Sequence, residues 1–134
     1  MKLVTFLMLA LLLGLAGLSN AQSMWSSTPL GNTTFHNGPN GLTGTSTPLG
    51  NTIFHNFSNG LSGTSMPLGT TTFHAWSDGV TGTSTLLGNT TFHNYSDGLS
   101  GTSMQLGNTT FSNFSNGRNC TSQTIGATTF TNCY

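Results

Sequence analysis

Charge is what this chain has least of. Asp, Glu, Lys and Arg make up 3% of its 134 residues and the formal net charge is zero, against about 25% charged residues in ordinary soluble domains. Lys2 sits at the extreme N-terminus, which leaves Arg118 against Asp78 and Asp97 in the rest. Without a basic stripe there is nothing to neutralise phosphates, so nucleic acid is excluded as a partner, and so is a polybasic membrane-surface patch. Paired acids for glycoside chemistry are missing as well, because Asp78 and Asp97 are equivalent turn residues. Serine and histidine are plentiful, yet only as columns of copies, with no unique Ser-His-Asp set. No G-x-x-x-x-G-K-[ST] phosphate loop occurs. The composition therefore argues against an enzyme and implies no cofactor. Low charge also removes repulsion between copies, which permits self-association.

Helical periodicity is the second absence. Gly, Thr, Ser and Asn dominate, and no segment repeats its apolar residues at 3.6-residue spacing. The one long apolar run is Leu3–Leu18, preceded by Lys2 and followed by Ser19-Asn20-Ala21. That order reads as a signal peptide over 1–21, and no second run long enough to span a membrane follows it. The expected location is secreted, periplasmic or cell-surface. Cysteine is scarce too: Cys120 and Cys133 alone, an even count that in an exported chain predicts one disulfide.

What is present is repetition. Residues 22–134 form one domain of six units starting at Ser27, Ser46, Ser65, Ser84, Ser103 and Ser122, a period of 19 with no insertion; the last unit is truncated and carries the disulfide as a cap. In the unit from Ser46, residues 51–57 read as a strand, Ser58-Asn59-Gly60 as a turn, 61–66 as a second strand and Pro67-Leu68-Gly69 as a second turn. The fold class is all-β. Strict columns of identical residues favour a short-period β-solenoid with one coil per repeat, its equivalent residues stacked at ~4.8 Å. The alternative is an antiparallel β-hairpin meander, for which the Asn-Gly and Asp-Gly turns speak.

Three columns offer a continuous core: the phenylalanines 35, 54, 73, 92, 111 and 130; Leu30, Leu49, Leu68, Leu87, Leu106 and Ile125; and Leu42, Leu61, Val80 and Leu99. Phe57, Trp76, Tyr95 and Phe114 read as a partly exposed aromatic corner. The amino end shows no counterpart of the disulfide cap, so an open strand edge is expected there.

Two columns could carry chemistry. His36, His55, His74 and His93, stacked at strand spacing, could share a Zn, Cu or Ni ion. The second strands bring Thr43, Thr45 and Thr47, then Thr64, then Thr81, Thr83 and Thr85, then Thr102, onto one face. These rows resemble the flat T-x-T arrays of solenoidal antifreeze proteins, a resemblance that implies an ice-binding face. The G-N-T-T-F cores at 31–35, 88–92 and 107–111, with I-G-A-T-T-F-T-N-C at 125–133, resemble bacterial exported proteins with tandem G-N-T-T-[FY] repeats. That resemblance implies export and repetition and no activity. The function expected is that of a non-enzymatic surface component, structural, adhesive or self-assembling. Its partners are further copies joined end to end or an extended surface.

Overall fold

A computed structural model describes residues 23–134; the signal peptide read at 1–21 lies outside the described residues. Twelve strands follow one another: β1 (Ser23–Leu30), β2 (Thr33–Asn37), β3 (Thr43–Leu49), β4 (Thr52–Phe57), β5 (Ser62–Leu68), β6 (Thr71–Trp76), β7 (Thr81–Leu87), β8 (Thr90–Tyr95), β9 (Ser100–Leu106), β10 (Thr109–Phe114), β11 (Asn119–Ile125) and β12 (Thr128–Cys133). The all-β class, the repeated strand–turn units and their approximate boundaries agree with the sequence reading. The solenoid does not. Every strand pairs antiparallel with its chain neighbours, and β1 pairs with β12, so the sheet is a closed meander barrel.

The turns explain the difference, because a solenoid coil needs parallel neighbours and both turns of this unit reverse the chain. At one end, Leu49 pairs with Thr52, leaving the two-residue loop Gly50-Asn51 with Gly50 at φ 62°, a positive-φ glycine that matches strand twist in tight hairpins. At the other end, Gly60 donates its N–H to the Phe57 carbonyl at 3.0 Å, and the Asn59 side-chain oxygen accepts from the Leu61 N–H at 3.0 Å. Asp78, Asp97 and Asn116 do the same for Val80, Leu99 and Arg118. Pro48 and Pro67 lie inside strands. At the equivalent positions, Leu86, Gln105 and Thr124 donate only to turn carbonyls of Thr70, Asn89 and Asn108, so proline forfeits a single bond at the barrel end.

Closure also removes the open amino edge expected from the sequence. Ser23–Ser27 pair with residues 129–133, and every strand has two neighbours. The disulfide Cys120–Cys133 forms as expected, but it is no edge cap. It bridges directly paired residues of β11 and β12, both buried inside the barrel. With a sequence separation of 13, its loop-closure contribution is ~3 kcal/mol.

The core is largely the reverse of the one read from the sequence. The six column phenylalanines lie outside at 42–48% exposure, and the Leu30-to-Ile125 column is more exposed still, at 57–67%. The supposed corner is the centre: Phe57, Trp76, Tyr95 and Phe114 are buried together with Trp25 and the two cysteines, and Leu42, Leu61, Val80 and Leu99 pack against them. Alternation ties the choice together, since successive side chains point to opposite faces. Residues 53, 55 and 57 share one face and 52, 54 and 56 the other. The first face pairs every histidine and serine it buries with a hydroxyl or imidazole, whereas the second would bury the Asn56, Asn94 and Asn113 amides.

Each aromatic lies over a glycine on its paired strand. A Cβ on Gly44 would come within 2.1 Å of the Phe57 ring, and on Gly63, Gly82 and Gly101 within 2.3 Å of Trp76, Tyr95 and Phe114. The first unit exchanges the roles, with Trp25 on the first strand and Gly38 beside its ring, where a Cβ would come within 2.6 Å. In the last unit the same pair is Cys120 with Cys133. One interior layer is thus filled by large–small pairs all the way round.

Candidate functional site

Above the aromatic layer each strand turns one small polar residue inward: Ser27, His36, Ser46, His55, Ser65, His74, Ser84, His93, Ser103, Ser112, Ser122 and Thr131 in strand order, all buried. From Ser27 to Ser112 they form one unbroken hydrogen-bonded belt with links of 2.6–3.0 Å. Ser122 and Thr131 continue the layer with a bond of 2.8 Å. Each imidazole meets the serine before it through Nδ1 and the serine after it through Nε2. Beneath them lie the aromatics, with ring centroids 5.9 Å apart for His36–Phe57 and 5.3 Å for His55–Trp76. The pairs His74–Tyr95 and His93–Phe114 follow at 6.3 and 6.0 Å.

Burial strips water from these rings and disfavours the cation. His36, His74 and His93 are pushed down to about 4, and His55, which also feels His36 and His74, to about 3. The belt is therefore neutral at pH 7.

The arrangement engages the His column, read in the sequence as a candidate metal site, with hydroxyls. The four histidines sit on alternate strands with a serine between each pair, and both ring nitrogens of each are engaged by hydroxyls. Among the described residues, no group of three or more His, Cys, Asp or Glu is placed to hold an ion. The serine column was missed as a site, although its residues are the ones that open every unit in the sequence.

The threonines fall on the outer wall. Thr43, Thr45 and Thr47 are on β3, Thr64 on β5, Thr81, Thr83 and Thr85 on β7, and Thr102 on β9. Between these strands run others carrying different side chains: Thr45 faces Phe35 on one side and Asn56 on the other, and Thr83 faces Phe73 and Asn94. The rows are thus separated and curve with the barrel instead of forming one flat array.

The rest of the outer wall is apolar over one half. Each hairpin contributes one phenylalanine and one leucine or isoleucine, and Met66 and Met104 join the phenylalanine row. The result is an exposed girdle on the Leu-Gly turn side. Asp78, Asp97 and Arg118, the charged side chains among the described residues, all sit at the opposite, Asn/Asp-Gly end. A shallow groove of about 460 Å³ on this wall is lined by Phe73, Thr81, Thr83, Asn94 and Ser96. It contains no acid, and its one imidazole, His74, is bonded at both nitrogens.

No family model, curated protein or solved structure matches this chain.

Proposed function

We propose that the chain is a non-enzymatic exported repeat protein that acts through its outer wall, as a structural and adhesive component that associates with further copies of itself. One observation carries this reading. An exposed ring of six phenylalanines and six leucine or isoleucine side chains encircles one half of the barrel, while the few charges sit at the other end. Exposed apolar area of this extent is unusual on a monomer and marks contact surfaces. Because the ring has no single face, one contact leaves the rest free, and association can propagate. The contacts run wall to wall, since a closed barrel offers no strand edge for end-to-end pairing. Export rests on the leader sequence alone.

The test is sedimentation velocity over a concentration series, with adsorption to an apolar surface measured in parallel. The unaltered chain is expected to associate and adsorb. The double variant Phe54→Glu/Phe92→Glu places charge on the wall and none in the core, and it is expected to stay folded, monomeric and unadsorbed. An unaltered chain that is monomeric at every concentration and leaves the surface bare contradicts the proposal.

A further inference from the structure

The belt has a property that follows from counting its protons. A neutral imidazole has one N–H and one lone pair, whereas a serine hydroxyl can donate once and accept twice. A serine between two imidazoles can therefore pass the direction on, or accept from both sides, but it can never donate to both. If His36 carries its proton on Nδ1, its Nε2 must receive the Ser46 O–H. Ser46 then has nothing to give His55, so His55 must also carry its proton on Nδ1, and the constraint runs on to His93.

We propose that the serine–histidine belt is a cooperative, acid-sensitive latch, in which the four imidazoles choose their tautomers together and the run from Ser27 to Ser112 tolerates one extra proton but not two. A single imidazolium donates from both nitrogens. The belt adjusts by running leftward on one side of it and rightward on the other, and every link between neighbours survives. With two imidazoliums, one serine between them must accept from both sides. Its own O–H then leaves the belt; Ser46 and Ser65 have no further side-chain partner to take it, and Ser84 has only the Tyr95 phenol beside it. Two cations in a dry layer also repel each other.

Nothing else facing the belt can absorb the charge. The elements packed against it contribute the other imidazoles and the Tyr95 phenol, whose ring lies 6.3 Å from that of His74. The Asp78 and Asp97 carboxylates are held in the turns by the Val80 and Leu99 N–H groups, and the Arg118 guanidinium donates to Ser23 Oγ. Acid thus acts on the belt as a whole, opening the barrel and exposing the aromatic layer beneath.

The experiment is nitrogen-15 NMR of the histidine side chains in the folded chain, at neutral pH and then through an acid titration with near-ultraviolet circular dichroism alongside. In the order 36, 55, 74, 93, the expected pattern is a uniform tautomer, since even the one change the count permits, from Nε2–H to Nδ1–H, strands a serine O–H. An earlier histidine protonated on Nδ1 with a later one protonated on Nε2 would overturn the proposal. On titration, the four are expected to respond as one set, with loss of the aromatic signal in a single transition. Four independent titrations with the barrel intact would equally overturn it. Ser65→Ala cuts the belt at its middle and is expected to free the pair 36 and 55 from the pair 74 and 93. If that variant does not fold, the tautomer pattern of the unaltered chain still decides.

Discussion

Acidification from pH 7 to pH 5 is expected to unfold the barrel. All four belt histidines have folded-state values of about 4 or about 3, below the ordinary 6.5. A base whose value is depressed on folding stabilises the fold fully above its unfolded value and loses that contribution as pH falls below it. Here the window opens near 6.5 and closes near 4. Within it the unfolded chain binds up to four more protons than the folded one, so stability falls by roughly 5 kcal/mol per pH unit. At pH 5 the loss is on the order of 8 kcal/mol, comparable with the entire stability of a small domain. Circular dichroism against pH should show a cooperative transition between about pH 6 and pH 4.5. The chain itself supplies the control, since the sixth repeat carries Thr131 and the fifth Ser112 in the histidine column. His93→Ser should lower the proton uptake on unfolding by one in four. A barrel stable at pH 4, or a slope unchanged in that variant, would break the link to the belt.

The second large effect is expected at a glycine. Gly44→Ala drives a Cβ to within 2.1 Å of the Phe57 ring, a clash that the packed layer cannot relieve by rotating an exposed side chain. Overpacking of this kind should cost about 3 kcal/mol. In a Phe57→Ala background the ring is gone and the Asn56 carbonyl oxygen, 3.0 Å from the Cβ, is the contact that remains, so the same substitution should cost much less. Chemical denaturation of the four proteins measures the coupling. A coupling near zero would mean that the ring does not lie over the glycine. Gly50→Ala is the comparison: nothing lies within 4 Å of its Cβ, and it should cost about 1 kcal/mol for its positive φ alone.

The strands and both turns were legible in the sequence, because Asn-Gly, Asp-Gly and Leu-Gly mark chain reversals with a definite mechanism. The pairing scheme was not, because columns of identical residues arise equally from stacked coils and from tandem hairpins. Choosing coils placed the phenylalanine column inside, on the premise that the most regular apolar column is the core. The competing signal was present at Gly44, Gly63, Gly82 and Gly101. A glycine recurring in the middle of each second strand asks what large group lies over it, and the answer is the aromatic column that looked like a corner. The histidines were recognised as a column, but the serines opening each unit were used only as markers, so their role as hydroxyl partners was missed. Parity connects the two errors: once Phe57 faces inward, His55 does too, and Phe54 cannot.

That parity is the centre of the account, and one pair of adjacent residues tests it. Phe92 lies 43% exposed and His93 1% exposed on the same strand. Phe92→Cys and His93→Cys, each in the oxidised chain at neutral pH and confirmed as folded, should be probed with a thiol reagent. The barrel predicts rapid labelling at position 92 and labelling slower by orders of magnitude at 93, limited by opening of the structure. Rapid labelling at 93 with protection at 92 would put the phenylalanines in the core and contradict the barrel, its belt and its girdle together.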